Sequence, residues 1–227
     1  MHCFDCGTGF ETATDACPNC GGPPETDPDR YFKAAMESVA SGDLKGSIAL
    51  LRDCLELNPD HLSGRYNLGV ALSLEDRCDE AIDHLSVVAS QDPDYPGIYT
   101  AMGQAAFGSY LFHEEQANLR SAMMIQLLRQ AVERDSQDVN AYFSLGNAYI
   151  ALGMAKEALP CLKYALSLDP RSSATCFTMA KVFKMLGECR EAALMAQKAL
   201  DLSDPSDQFR EDMQSLLADL RQGVPTL

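Results

Sequence analysis

The sequence predicts an all-α protein of stacked helical hairpins behind a short cysteine-rich head. Three observations carry this. Apolar residues repeat on one helical face: Tyr142, Leu145 and Tyr149 stand at i, i+3 and i+7, and Ala158, Leu162 and Ala165 line a second helix. The pattern closes on Pro59, Pro93, Ser136, Pro170 and Asp204, which stand 34, 43, 34 and 34 residues apart, a frame held with one insertion. Within a unit, Gly146 and Ala158 are small where two helix backbones approach, and Gly153 supplies the turn. One hairpin cannot bury its own apolar face, so each needs neighbours.

Composition sets the bounds. The chain has 227 residues, 46% of them apolar, and no run nears the roughly 18 apolar residues of a membrane span. A formal charge of −15 disfavours nucleic acid and anionic membrane as partners. It is compatible with a basic segment as partner, and solubility alone explains it as well. The first six residues lack the basic-then-apolar order of a signal peptide, which predicts a cytoplasmic chain. Of nine cysteines, four fall in the first twenty residues as two Cys-x-x-Cys pairs. That spacing, with an odd total, favours reduced thiols and a metal over disulfides.

Taken in order, the head (residues 1–22) reads Cys3-Phe4-Asp5-Cys6-Gly7 and, after an intervening stretch, Cys17-Pro18-Asn19-Cys20-Gly21. Two residues between cysteines let both thiolates reach one tetrahedral ion at a Zn–S distance of about 2.3 Å, and the following glycines allow the turn. The head resembles a zinc ribbon. The resemblance implies structural Zn2+ on Cys3, Cys6, Cys17 and Cys20, with rubredoxin-like iron and redox dithiols as alternatives. So short a segment cannot build an apolar core, so metal binding would supply most of its folding energy. Up to residue 30 its one basic side chain is Arg30, against six acidic ones, which disfavours nucleic-acid binding there. Residues 23–27 form a Gly/Pro-rich linker with their neighbours.

Five hairpins fill residues 28–205. The first (28–61) carries Tyr31, Ala35, Gly42, Ser47, Leu51 and Cys54. The second (62–95) carries Leu68, Gly69, Leu72, Ala81, Leu85 and Val88, with Arg65 in place of the opening aromatic. The third (96–138) opens with Tyr99, Met102, Gly103 and Ala106, then takes an insertion at about 108–120 before Met124, Leu128 and Ala131. The insertion is expected to lengthen both helices by about a turn and to bring Tyr110, Leu111 and Phe112 near the tip. The fourth is 139–172. The fifth (173–205) carries Met179, Ala180, Phe183, Gly187, Ala192, Ala196 and Ala199. Residues 206–221 read as a capping helix with Phe209, Met213, Leu216, Leu217 and Leu220 on one side.

Over residues 28–221 this spacing resembles the tetratricopeptide repeat, a helix–turn–helix unit of about 34 residues. The resemblance implies a right-handed superhelix of five repeats and a cap, with the first helix of each repeat lining a concave groove. Carried onto this chain, the family's groove positions give Phe32, Met36, Tyr66, Val70, Gln104, Phe107, Phe143, Asn147, Phe177, Lys181 and Lys184, with Val39, Ser73, Thr100 and Ile150 also at groove positions. Such a groove is apolar, with four aromatics at one position. The family's Lys/Asn clamp for a terminal carboxylate is not reproduced, because Phe32, Met36 and Val70 stand where it needs polar residues.

The expected function is a non-enzymatic, cytoplasmic, prokaryotic scaffold that binds an apolar or amphipathic segment of a protein or peptide partner. Two alternatives stand beside it: self-assembly into a homo-oligomer, and a metal- or redox-responsive regulator acting through the ribbon. No Gly-rich phosphate loop, nucleophile elbow or His–carboxylate helix motif is present, so no catalysis is expected. Cys54 and Cys161 read as apolar packers, while Cys78 and Cys189 lie near turns where exposure is expected.

Overall fold

Short polar side chains set the helix starts. The side-chain oxygens of Asp27, Asp43, Asp138 and Ser172 accept backbone N–H groups of the first turn of the helices that follow them, at 2.9–3.1 Å. The computed structural model describes Asn19, residues 27–112 and residues 117–223, and these form eleven α-helices and no strand. The four cysteines of the expected ribbon and insertion residues 113–116 lie outside the described residues.

The chain divides into two compact units, Met1–Glu114 and Glu115–Leu227. Unit 1 holds α1 (Pro28–Ala40), α2 (Leu44–Leu57), α3 (Leu62–Leu74), α4 (Cys78–Gln91) and α5 (Ile98–Phe112). Within it, α1 packs on α2, α2 on α3, α3 on α4, and α5 on both α3 and α4. Tyr31, Leu51, Cys54, Leu68, Leu72, Leu85 and Val88 are fully buried there.

Unit 2 holds α6 (Ala117–Arg134), α7 (Val139–Ala151), α8 (Ala155–Leu168), α9 (Ser173–Met185), α10 (Cys189–Leu202) and α11 (Arg210–Gly223). Each helix packs on the next in order. Met124, Leu128, Leu162, Ala180, Val182 and Met213 form its interior.

The small residues of the repeat have a measurable reason. A Cβ at Gly69 would stand 2.6 Å from Leu85 Cγ, and one at Gly146 would stand 2.7 Å from Leu162 Cδ2. In both hairpins the first helix thus meets a leucine of the second with no room for a methyl group. Between the helices, Gly42, Gly153 and Gly187 take φ of 82°, 72° and 78°. The second hairpin has no glycine at this point, and Asp76 takes φ 59° in its place, a conformation that Asp tolerates better than most residues.

The insertion lengthens the third hairpin as expected, but unequally. α5 has 15 residues against 13 in α1, α3, α7 and α9, and α6 has 18 against 14 in the other second helices. Its two helices fall in different units.

The cap is also shifted. Helix α11 starts at Arg210 rather than near residue 206, because the Arg210 guanidinium donates to the Leu200 and Ser203 carbonyls, both at 3.1 Å, and ties the preceding loop to the end of α10. Phe209 therefore precedes the helix and is 49% exposed, not on the buried side with Met213, Leu217 and Leu220.

Candidate partner-binding face

In each hairpin the first helix buries one stripe and leaves another open. On α3, Gly64, Leu68, Ala71 and Leu72 face inward, whereas Tyr66, Val70 and Ser73 are half-buried and Leu74 is 62% exposed. On α1 the open stripe is Phe32, Met36 and Val39. On α5 it is Gln104, Phe107 and Leu111, at i, i+3 and i+7. Of the residues expected to face a partner in unit 1, Phe32, Met36, Tyr66, Val70, Gln104 and Phe107 lie on these stripes, whereas Thr100, at the register of Phe32 and Tyr66, is buried at 7% exposed and corrects that expectation. The sequence reading did not place Leu74 on the stripe, though it directly follows Ser73. Leu111, expected near the tip of a lengthened helix, stands one residue from the end of α5, is 55% exposed and forms the stripe's next turn.

Two of the aromatic rings on this face, Phe32 and Tyr66, are braced by a second ring. The Phe32 ring lies 5.1 Å from the His61 ring, and the Tyr66 ring 5.0 Å from the Tyr95 ring. His61 and Tyr95 are 34 residues apart, so the brace repeats with the hairpin. Such pairs contribute about 0.5–1.5 kcal/mol beyond area burial. His61 is itself fixed. Its Nδ1 accepts the Gly64 N–H at 2.8 Å as the cap of α3, so its Nε2 carries the proton and donates to Asp29 Oδ1 at 3.0 Å. A ring held in place before contact loses less entropy when a ligand covers it.

Unit 2 differs. On α7, Phe143, Asn147 and Ile150 are half-buried and form the open stripe. On α9 the stripe is cationic, with Lys181 and Lys184 exposed. Phe177 corrects the expectation of an open ring: it is 5% exposed, in a cluster with Cys176, Ala199 of α10 and Met213 of α11. Lys181 Nζ lies 4.1 Å from its ring centroid, and Lys184 Nζ pairs with Asp219 Oδ2 at 3.5 Å. The aromatic register thus leaves Phe32, Tyr66 and Phe143 half-buried and Phe177 buried.

Of the helix cysteines, Cys54, Cys78 and Cys176 are buried packing groups, while Cys161 and Cys189 are partly exposed. Burial, with the charges of Asp29 and Asp27 adding to it, pushes the Cys54 thiol up to about 11. Burial likewise raises Cys78, Cys161 and Cys176 above the ordinary thiol value. Cys78 is 5% exposed, which corrects the exposure expected near its turn: its sulfur fills the space where Gly108 lacks a side chain. Among the described residues no group of three or more His, Cys, Asp or Glu stands together as metal ligands would.

Two family models match the chain, both described as tetratricopeptide repeat, over residues 38–105 and 139–172. Over residues 38–105 and 139–172 the chain carries tetratricopeptide repeats. Solved structures agree on the fold. A thermophilic TPR protein of Thermus thermophilus, TTC0263, is 20% identical with a TM-score of 0.71, covering 86% of this chain and 99% of that one. MamA from residue 41 onward, from Desulfovibrio magneticus RS-1, is 16% identical with a TM-score of 0.64, covering 80% and 97%. YrrB, described as a TPR protein with an unusual peptide-binding site, is 19% identical with a TM-score of 0.56, covering 84% and 93%. Among curated proteins none matches. Neither repeat model reaches the cysteine-rich head, so the ribbon gains no support from them. Among the described residues no helix is long and apolar enough to cross a membrane.

Proposed function

We propose that this TPR chain is a non-enzymatic interaction scaffold that takes an apolar or amphipathic peptide segment on the open stripes of its first helices. The observation that carries the reading is the stripe of Phe32, Met36, Val39, Tyr66, Val70, Leu74, Phe107 and Leu111, apolar or aromatic at eight of its ten positions (Ser73 and Gln104 are the others) and half-buried or exposed among the described residues of unit 1. Ordinary solvated helix faces place charged and polar residues there. Peptides selected from a random display library against the full chain should share apolar residues at helical spacing. Their binding should weaken at least about tenfold, about 1.4 kcal/mol, in a Phe32→Ala/Tyr66→Ala variant. Selected peptides that bind this variant unchanged, once it is shown folded by circular dichroism, would place binding elsewhere.

The head is proposed to be a structural Zn2+ ribbon on Cys3, Cys6, Cys17 and Cys20. Its donor set fits: four thiols in two Cys-x-x-Cys-Gly pairs, set apart in the sequence from helix cysteines such as Cys54 and Cys176, which are buried in the packing of the hairpins. The zinc would fold the head and need not take part in chemistry. Native mass spectrometry should show one zinc per chain, lost in a Cys6→Ser/Cys20→Ser variant whose helical signal stays intact. A metal-free wild type prepared with zinc present would end this reading.

A further inference from the structure

The charge of the chain is not evenly spread. Residues 27–112 carry 14 Asp/Glu against six Lys/Arg, while residues 117–223 carry 13 against 12. If net charge served solubility alone, both helical units would share it. The excess instead lies in the unit whose open stripe is apolar. Several of those acids sit at the ends of the helices that form the stripe. Asp29 opens α1, Asp60 precedes α3, Asp92 and Asp94 precede α5, and Glu75 and Asp76 follow α3. Three of the six basic side chains are engaged with groups other than these acids. Arg52 and Arg77 both reach Glu80, at 3.4 and 2.6 Å, and Arg65 donates to the Pro59 carbonyl. No Lys or Arg stands on the open stripes of α3 or α5, whereas α9 in unit 2 presents Lys181 and Lys184.

Distance decides whether these charges matter to an occupant. Helix α3 has 13 residues. A helix of that size is about 20 Å long, so its ends lie about 10 Å from its middle. That is close to the Debye length of roughly 8–10 Å at moderate salt. A cation at the edge of a segment lying across the stripe is therefore attracted, and an acidic one is repelled.

We infer that the occupant of the α1–α3–α5 stripe is a basic amphipathic segment of a protein partner, apolar on the side that meets Phe32, Tyr66, Val70 and Phe107 and rich in Lys or Arg on the other. This rests on the proposed docking role of the stripe and adds the chemistry of what docks. Apolar burial holds the segment, and the acidic helix ends select its charge and speed its arrival.

The test uses the full chain and three synthetic helical peptides of about 16 residues, roughly 24 Å long, with one shared Leu/Phe face and polar positions filled by Lys, Gln or Glu. By calorimetric titration the Lys peptide should bind about tenfold or more tightly than the Gln peptide at 50 mM salt, and the Glu peptide more weakly than either. At 0.5 M salt the Lys preference should fall to within about threefold. An Asp60→Asn/Glu75→Gln/Asp76→Asn/Asp94→Asn variant should lose most of the preference but still bind the Gln peptide. Tyr66→Ala/Val70→Gln should weaken both. Equal binding of Lys and Gln peptides would overturn the basic occupant and leave the docking face standing. Lys-peptide binding unaffected by Tyr66→Ala/Val70→Gln would be diffuse attraction and would overturn it too, as would a preference that survives the four amide substitutions. Absence of binding by all three peptides would overturn the inference and the docking face together.

Discussion

Leu162→Ala should destabilise unit 2 by about 3 kcal/mol, and adding Gly146→Ala to that variant should recover part of the loss. Leu162 is fully buried, and removing a buried leucine side chain costs about 2–5 kcal/mol through lost transfer energy and the cavity left behind. Gly146 lies against it: a new Cβ would meet Leu162 Cδ2 and Cγ, each at 2.7 Å. In the wild type, Gly146→Ala therefore overpacks the hairpin and should cost about 1–3 kcal/mol, against a helix-propensity gain of about 1 kcal/mol. With Leu162 truncated the clash disappears, the propensity gain remains, and the added methyl group fills part of the cavity. Urea unfolding of the four proteins should give a coupling of at least about 1 kcal/mol in the compensating direction. Gly69 with Leu85, also 16 residues apart, should couple in the same direction but recover less, because a Cβ at Gly69 would still stand 3.2 Å from the Ala81 carbonyl oxygen. Additive costs in both pairs would mean that neither glycine is there for close approach.

That pairing shows why so much of the fold was legible. Gly69 with Leu85 and Gly146 with Leu162 are separated by one interval because each hairpin solves the same contact, so the period in sequence is the period in space. Stripes were legible for the same reason: Phe32, Tyr66 and Phe143 stand at one register and share one degree of burial. The failures have physical causes of their own. Phe177 occupies that register in the last repeat, but register is blind to the chain beyond the array, and there the cap and its neighbours close over the ring. Phe209 has the spacing of a buried cap residue, yet Arg210 fixes the helix start one residue later and leaves it outside. The left-handed Asp76 and the cap made by His61 Nδ1 have no periodic signature. Each is set by a local solution to one turn.

Met213→Asp should release α11 from unit 2, with a stability loss of about 3 kcal/mol or more. Met213 is 1% exposed and belongs to the cluster of Cys176, Phe177 and Ala199, with Leu216 packed against it. A carboxylate placed there either stays charged without a partner or is neutralised at a comparable cost, and in both cases the contacts of the thioether are lost. The contrast is Phe209→Asp, four residues earlier and 49% exposed, which should change stability by no more than about 0.5 kcal/mol. Amide hydrogen exchange separates local from global loss. In Met213→Asp the backbone of α11 should lose protection along its length, while α7 and α8 keep theirs. The Lys184–Asp219 pair at 3.5 Å will not hold the helix, because both side chains are about half exposed and such a pair contributes at most about 1 kcal/mol. Freed of the cap, Phe177 should become accessible, and the α7–α9 face should gain the aromatic that the sequence assigned to it. A Met213→Asp protein that binds apolar peptides more tightly through Phe177, an effect removed by Phe177→Ala, would make α11 the cover of that ring as well as the end of the array. Equal mildness of Met213→Asp and Phe209→Asp would show instead that α11 is not docked through Met213 at all.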